Sequence, residues 1–146
     1  MDNVRYCASA FVLNHDNKIL LIWHKKFNKF IQPGGHINDG EEPYETAMRE
    51  VLEETHIHIN IPVKEPFSVG DYHNNVGHQI DYQFIAYALD ENIRKNDESF
   101  KAGWYSLEYL DTIDVVDDLK EKVKLVLNTV KNREDIWKKE LLLEKN

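Results

Sequence analysis

The 146-residue chain is 42% hydrophobic and carries three Trp, seven Tyr and six Phe, enough for one compact core and too much for disorder throughout. Its net charge of −8 argues against an extended nucleic-acid surface, which needs basic patches, but leaves room for a small phosphate ligand held through divalent cations. A single cysteine, Cys7, excludes an intramolecular disulfide and a cysteine-based zinc site, and fits a reducing cytoplasm.

No apolar run approaches the roughly 18 residues of a bilayer span, so no membrane partner is expected. Asp2 runs straight into a strand-like pattern, unlike a signal peptide. Residues 4–13 and 18–23 read as two strands joined by a polar turn at 14–17. FIQPGG, residues 30–35, reads as one short strand closed by a turn. From Pro43 to about Thr55 the pattern is helical, with proline suited to the first position. IHINIPV, from Ile57, resumes period-two alternation, and 65–73 continues as a strand. A hairpin turn at 73–77 leads into a strand over 78–89. Residues 90–99 form a polar loop and 103–107 a last short strand. Val116, Leu119, Val123, Val126, Leu127 and Val130 recur at helical spacing, predicting a helix over 115–131. The tail beyond it, with Ile136 and Trp137, either packs back or meets a second subunit in a homodimer; packing back is the simpler reading. The sum is a single domain over 1–146 of α+β class, a mixed β-sheet between helices in an α-β-α sandwich.

Drawn as a wheel, the 43–55 helix places Tyr44, Ala47, Met48, Val51 and Leu52 on an apolar half. Glu45, Thr46, Arg49, Glu50, Glu53 and Glu54 occupy the other. Glu50, Glu53 and Glu54 project within roughly a 100° arc, where like charges repel by a few tenths of a kcal/mol per pair in water. They also lie in the C-terminal half, where the helix dipole disfavours anions. Arg49 offsets part of this through Glu45 and Glu53. A solvated acidic face is the bland explanation. A site for Mg²⁺ or Mn²⁺, which prefer carboxylate oxygens, answers the repulsion directly.

The surrounding spacing separates these alternatives. Gly35 is followed by five residues and Glu41. Seven more lead to Arg49-Glu50, Val51, one residue, Glu53-Glu54, one residue, and then His56-Ile57. This pattern resembles the Nudix box of the Nudix hydrolases, with His56 standing where the family has glycine. Six fixed identities match, a coincidence on the order of one in ten million at one starting point. Histidine tolerates the left-handed backbone that glycine supplies at a helix end, so His56 reads as a cap.

The resemblance implies a metal-dependent hydrolase that cleaves a pyrophosphate linkage in a nucleoside diphosphate joined to another moiety. It implies Glu50 and Glu54 as principal metal ligands, Glu53 as a further ligand or water-activating base, and a backbone carbonyl at Gly34 or Gly35. Arg49 would orient the carboxylates and Glu41 would join loop to helix. A further carboxylate from a later loop falls to Glu98, ahead of Asp97, Glu91 and Glu108. Lys25, Lys26 and Lys29, in the basic-aromatic stretch 23–30, are candidates for phosphate. Phe27, Tyr72, Tyr82 and Trp104 are candidates for stacking a base, although strand aromatics are commonly core. Tyr72 lies near the spacing of a tyrosine found in diadenosine polyphosphate hydrolases, too little to name a substrate. His73 and His78 read as surface residues beside the hairpin turn. The rival function is a non-catalytic, Nudix-like nucleotide sensor.

Overall fold

The computed structural model describes residues 3–75, 77–94 and 101–132. At its centre lies β1 (Val4–Leu13), antiparallel to β2 (Ile19–His24) near its C-terminal end. β3 (Lys29–Ile31) adds to β2, while β4 (Gly34–His36) returns to β1 and pairs Ala8 with Gly35 and Ser9 with Gly34. Helix α1 (Pro43–Thr55) and the short strands β5 (Ile59–Asn60) and β6 (Ser68–Asn74) follow. The chain then enters β7 (Gly77–Ala88), which runs parallel to β1 from Val4 opposite His78 to Leu13 opposite Tyr87. Parallel neighbours need a long crossover, and α1 lies within it. β5 and β6 pair with β7, and β8 (Ala102–Tyr105) pairs with β2. Helix α2 (Leu119–Asn132) closes the described chain.

Side-chain parity decides the layers, since alternate strand residues face opposite sides. Ala8, Ala10, Val12, Leu20, Phe84 and Ala86 pack with Ala47 and Val51 of α1. Phe11, Leu13, Ile19, Leu21, Ile85 and Tyr87 pack with Leu119, Val123, Val126 and Val130 of α2. The two helices therefore cover opposite faces, and the sandwich has the expected form. On the α2 face the same parity, followed toward the starts of β1 and β7, reaches Ser9, Asp81 and Gln83, all buried and all polar. There the hydrophobic layer stops.

Several sequence expectations need correction. FIQPGG is not one strand: Gln32 and Pro33 separate β3 from β4, which pair with different partners. Period-two alternation after the helix yields only the two residues of β5, because Ile57, Ile59 and Ile61 bury individually into the α1-side core. The next strand starts at Ser68 rather than 65. Helix α2 starts four residues later than 115, because Val115 bridges Phe30 and the Val116 N–H donates to the Phe30 carbonyl at 3.0 Å. The wheel misplaced two residues: Thr46 is fully buried, and Leu52 is exposed. The tail from 133 onward and most of the 90–99 loop lie outside the described residues.

Helix α1 starts with Pro43 at its first position, and the Glu45 carboxylate accepts the Glu42 N–H at 2.9 Å. It ends at His56, whose φ of 62° is left-handed and whose N–H donates to the Leu52 carbonyl at 2.8 Å. A β-branched side chain clashes in that conformation. His56→Val should therefore cost about 1–2 kcal/mol in chemical denaturation. His56→Gly should cost nothing measurable; an equal loss in both variants would show that the imidazole, not the backbone, is what matters.

Candidate active site

The loop 34–42 and helix α1 are joined by one guanidinium. Arg49 Nε donates to Glu41 Oε2 at 2.7 Å and Nη2 to Glu41 Oε1 at 3.1 Å, a two-point fork. Nη2 also donates to the His36 carbonyl at 3.1 Å, and Nη1 reaches Glu50 at 2.9 Å and Glu53 at 3.2 Å. Glu45, expected as an Arg49 partner, caps the helix instead. Glu41 gains two more donors, the Thr46 hydroxyl at 2.7 Å and the Asn38 N–H at 3.0 Å. The Arg49 hydrogen bonds, then those from Asn38 and Thr46, hold its carboxyl down at about 2. Burial of Thr46 is thus functional: its hydroxyl is spent on Glu41.

The three box glutamates are not equivalent. The Glu53 side chain is 57% exposed and that of Glu50 17%, so Glu50 is enclosed while Glu53 stands at the rim. Glu54 turns inward and accepts the Gly34 N–H at 3.1 Å. Burial, and then the neighbouring Glu50 charge, push the Glu54 carboxyl up to about 8. Burial also raises Glu50, against the pull of Arg49. A Cβ at Gly35 would lie 2.4 Å from the Glu50 carboxyl carbon, so glycine is required for the carboxylate to approach the strand. Two enclosed carboxylates thus meet a bare stretch of backbone. By donor chemistry such an arrangement could hold a cation, since its oxygen ligands exceed the positive charge that faces them.

These groups line a cleft of about 1120 Å³, ample for a nucleotide-sized ligand. Lys26, Lys29, Phe27 and Tyr72 also line it, whereas Lys25 does not. Phe27 stacks on His24 with ring centroids 4.1 Å apart. Tyr82 and Trp104 pack against the α1-side core, and the Trp104 indole donates to the Glu91 carbonyl at 3.1 Å. They are structural here, not a stacking platform. Glu98 lies outside the described residues, as does Asp97.

The floor of the cleft was missed by the sequence reading. Ser9 Oγ donates to Asp81 Oδ2 at 2.8 Å, and Gln83 Nε2 donates to the same oxygen at 3.2 Å. Gln32 Nε2 donates to Ser9 Oγ at 3.1 Å, and Gln83 Nε2 also reaches the Tyr72 hydroxyl at 2.9 Å. Asp81 Oδ1, Gln32 Oε1 and Gln83 Oε1 are buried without a hydrogen-bond partner. Gln32 and Asp81 line the cleft, so two acceptors without donors at its floor suit a ligand that brings N–H groups. The available signal was Asp81 itself, an acid at an inward-facing position of an apolar strand.

Burial raises the Asp81 carboxyl to about 6, despite hydrogen bonds from Ser9 and Gln83 and the Lys122 charge. A carboxyl raised on folding favours the native state while protonated, and that contribution is lost as pH climbs from about 4 through 6. Asp81→Asn removes this dependence. Its stability relative to the parent chain should rise by on the order of 2 kcal/mol between pH 4 and 7. Parallel denaturation curves at both pH values check it; a constant offset would contradict a titrating Asp81.

The NUDIX domain family matches residues 4–126. A candidate 8-oxo-dGTP diphosphatase of Bacillus subtilis (strain 168) is 44% identical over 52 residues, which are 34% of this chain and 35% of that protein. The chain spans about a third of the length of the curated relatives it matches first. A NUDIX-family hydrolase of Clostridium perfringens superposes with a TM-score of 0.77 at 23% identity, covering 88% of this chain and 99% of that one. A C. elegans Ap4A hydrolase superposes with a TM-score of 0.75 at 16% identity, covering 88% and 98%. The structures share the fold, and the family match spans most of the sequence, including every element from β1 into α2: the chain belongs to the Nudix family.

Proposed function

We propose that the chain is a metal-dependent pyrophosphohydrolase acting on a nucleotide-type substrate, in which a nucleoside diphosphate is linked to another moiety. The observation that carries this reading is the pairing of Glu50 and Glu54 against Gly34 and Gly35 at the cleft, with burial raising both carboxyls and the Glu50 charge raising Glu54 further. Mg²⁺ or Mn²⁺ would relieve that repulsion. Glu50 and Glu54 would hold it, with Glu53 and a Gly35 carbonyl as further ligands. When bound, such a cation would supply Lewis-acid stabilisation of the charge that develops on the phosphate.

The chain's own residues account for the rest. Arg49 keeps Glu50 and Glu53 in place through its fork on Glu41. Glu53, the rim carboxylate, takes the proton from the attacking water. The water oxygen bonds to one phosphorus, the bridging P–O bond breaks, and the second phosphate leaves with its electron pair. Lys26 and Lys29 neutralise the outer phosphates, and Phe27 stacks the base. Gln32 and Asp81 receive N–H groups of the base or its sugar-linked partner through their unpartnered oxygens. Glu98 supplies a later carboxylate and Lys25 a weaker electrostatic contribution. We place the reaction in the cytoplasm, where Cys7 stays reduced.

Incubation with Mg²⁺ and a panel of dinucleotides, nucleotide-sugars and nucleoside triphosphates should show turnover of at least one member. Glu53→Gln and Glu54→Gln should each lower kcat by a hundredfold or more with a smaller change in KM, as expected of groups that act in the transition state. Absence of turnover across the panel, with tight nucleotide binding that survives chelation of metal, would replace the enzyme reading with that of a sensor.

A further inference from the structure

The hairpin formed by β6 and β7 carries a group of side chains that the pyrophosphate chemistry leaves unused. Asp71 and His73 are two apart on β6 and share a face, and His73 stands directly opposite His78 on β7. The register therefore delivers all three side chains to one side of the ribbon. The His73 and His78 rings stack with centroids 3.9 Å apart. Their Nε2 atoms converge on one oxygen: Asp71 Oδ1 lies 2.6 Å from His78 and 3.4 Å from His73. Ligand atoms from all three lie within 4.8 Å of one another. A tetrahedral ion bound by imidazole and carboxylate needs donor atoms about 3.3 Å apart, as follows from bond lengths near 2.0–2.1 Å.

We propose that Asp71, His73 and His78 form a second metal site, for a borderline transition ion such as Zn²⁺. It is distinct from the carboxylate site of the box helix. Donor chemistry separates the two. Mg²⁺ takes oxygen ligands, which the glutamates supply, whereas two imidazoles and one carboxylate favour Zn²⁺ and its first-row neighbours. The His78 side chain is 20% exposed, so this ligand is already confined and loses little freedom on binding. Asn75, at the hairpin turn, donates to the Lys26 carbonyl at 3.1 Å and braces the ribbon against the 24–28 turn. Asp71 and His73 both line the cleft, so the ion would sit in its wall. Three protein ligands leave a coordination position for water or for a phosphate oxygen of the bound nucleotide. Binding replaces the Asp71–His78 hydrogen bond with bonds from both side chains to the cation.

The test uses the whole chain with Glu54→Gln, so that the box site is impaired. Zn²⁺ is titrated by calorimetry in excess Mg²⁺, and Co²⁺ by its visible absorption. We expect one equivalent of Zn²⁺ and a tetrahedral cobalt band. His73→Ala, His78→Ala and Asp71→Asn should each weaken Zn²⁺ by tenfold or more, while His58→Ala, at the surface pair with Asp90, should not. Melting in EDTA must be the same for Asp71→Asn as for its parent, and there the loss of Zn²⁺ reports ligation rather than folding. Equal Zn²⁺ affinity across these variants would overturn the site, as would no Zn²⁺ binding in the presence of Mg²⁺. Neither result depends on whether any nucleotide is hydrolysed.

Discussion

Arg49 contacts both oxygens of Glu41, one oxygen each of Glu50 and Glu53, and the carbonyl of His36, and the geometry of the whole acidic wall follows from that. Four glutamates, at 41, 50, 53 and 54, crowd the loop and helix, and a single guanidinium faces them. Its planar fork satisfies Glu41 fully, which locks the glycine-bearing loop to the helix. What remains for Glu50 and Glu53 is one N–H group each, and Glu54 receives a backbone N–H from Gly34. The charge is therefore balanced on the loop side and unbalanced on the cleft side. The imbalance appears as the raised carboxyl of Glu54, which without a cation keeps a proton near neutral pH.

The fold places that imbalance where a ligand can reach it. β1 is paired along both edges, and its second edge changes partner partway, from β4 beside Ala8 and Ser9 to β2 at Leu13. The change lets α1 approach a strand of bare glycine rather than a row of side chains. On the opposite face α2 covers the C-terminal ends of β1 and β7 and leaves their starts open. The cleft forms where the glycine strand and the uncovered polar parity meet. Glu50 and Glu54 enter it from one side, and Ser9 and Asp81 form its floor.

Legibility in the sequence tracked how local the cause was. The extent of helix α1 was readable because its start and its left-handed end are set within its own segment, although the wheel misassigned Thr46 and Leu52. The spacing Gly35–Glu41–Arg49–Glu50 was readable for the same reason, since the fork and the close approach act between neighbours on one loop and one helix. Non-local pairing was not readable. The residues before Leu119 have helical spacing, but Val115 and Val116 pair with Phe30, a partner far away in sequence. Thr46 looked polar and surface-bound until its hydroxyl was needed by Glu41. Asp81 and Gln32 meet only because β7 and the link before β4 flank β1 on either side of Ser9, which no periodicity encodes.

Donor softness gives the cleft two kinds of wall. The box helix offers carboxylates and backbone oxygens, a set suited to a weakly held, hydrated Mg²⁺ that can exchange with each substrate. The β6–β7 hairpin offers imidazoles at a fixed cross-strand spacing, a set suited to an ion held for longer. Antiparallel register explains why the second set exists at all. Opposed residues share a face, so two histidines flanking a tight turn must stack or diverge, and Asp71 two positions back supplies the oxygen on which both rings converge. A protein that keeps both sets in one cleft can let the hard ion follow the phosphates while the softer one fixes the rim against which they bind.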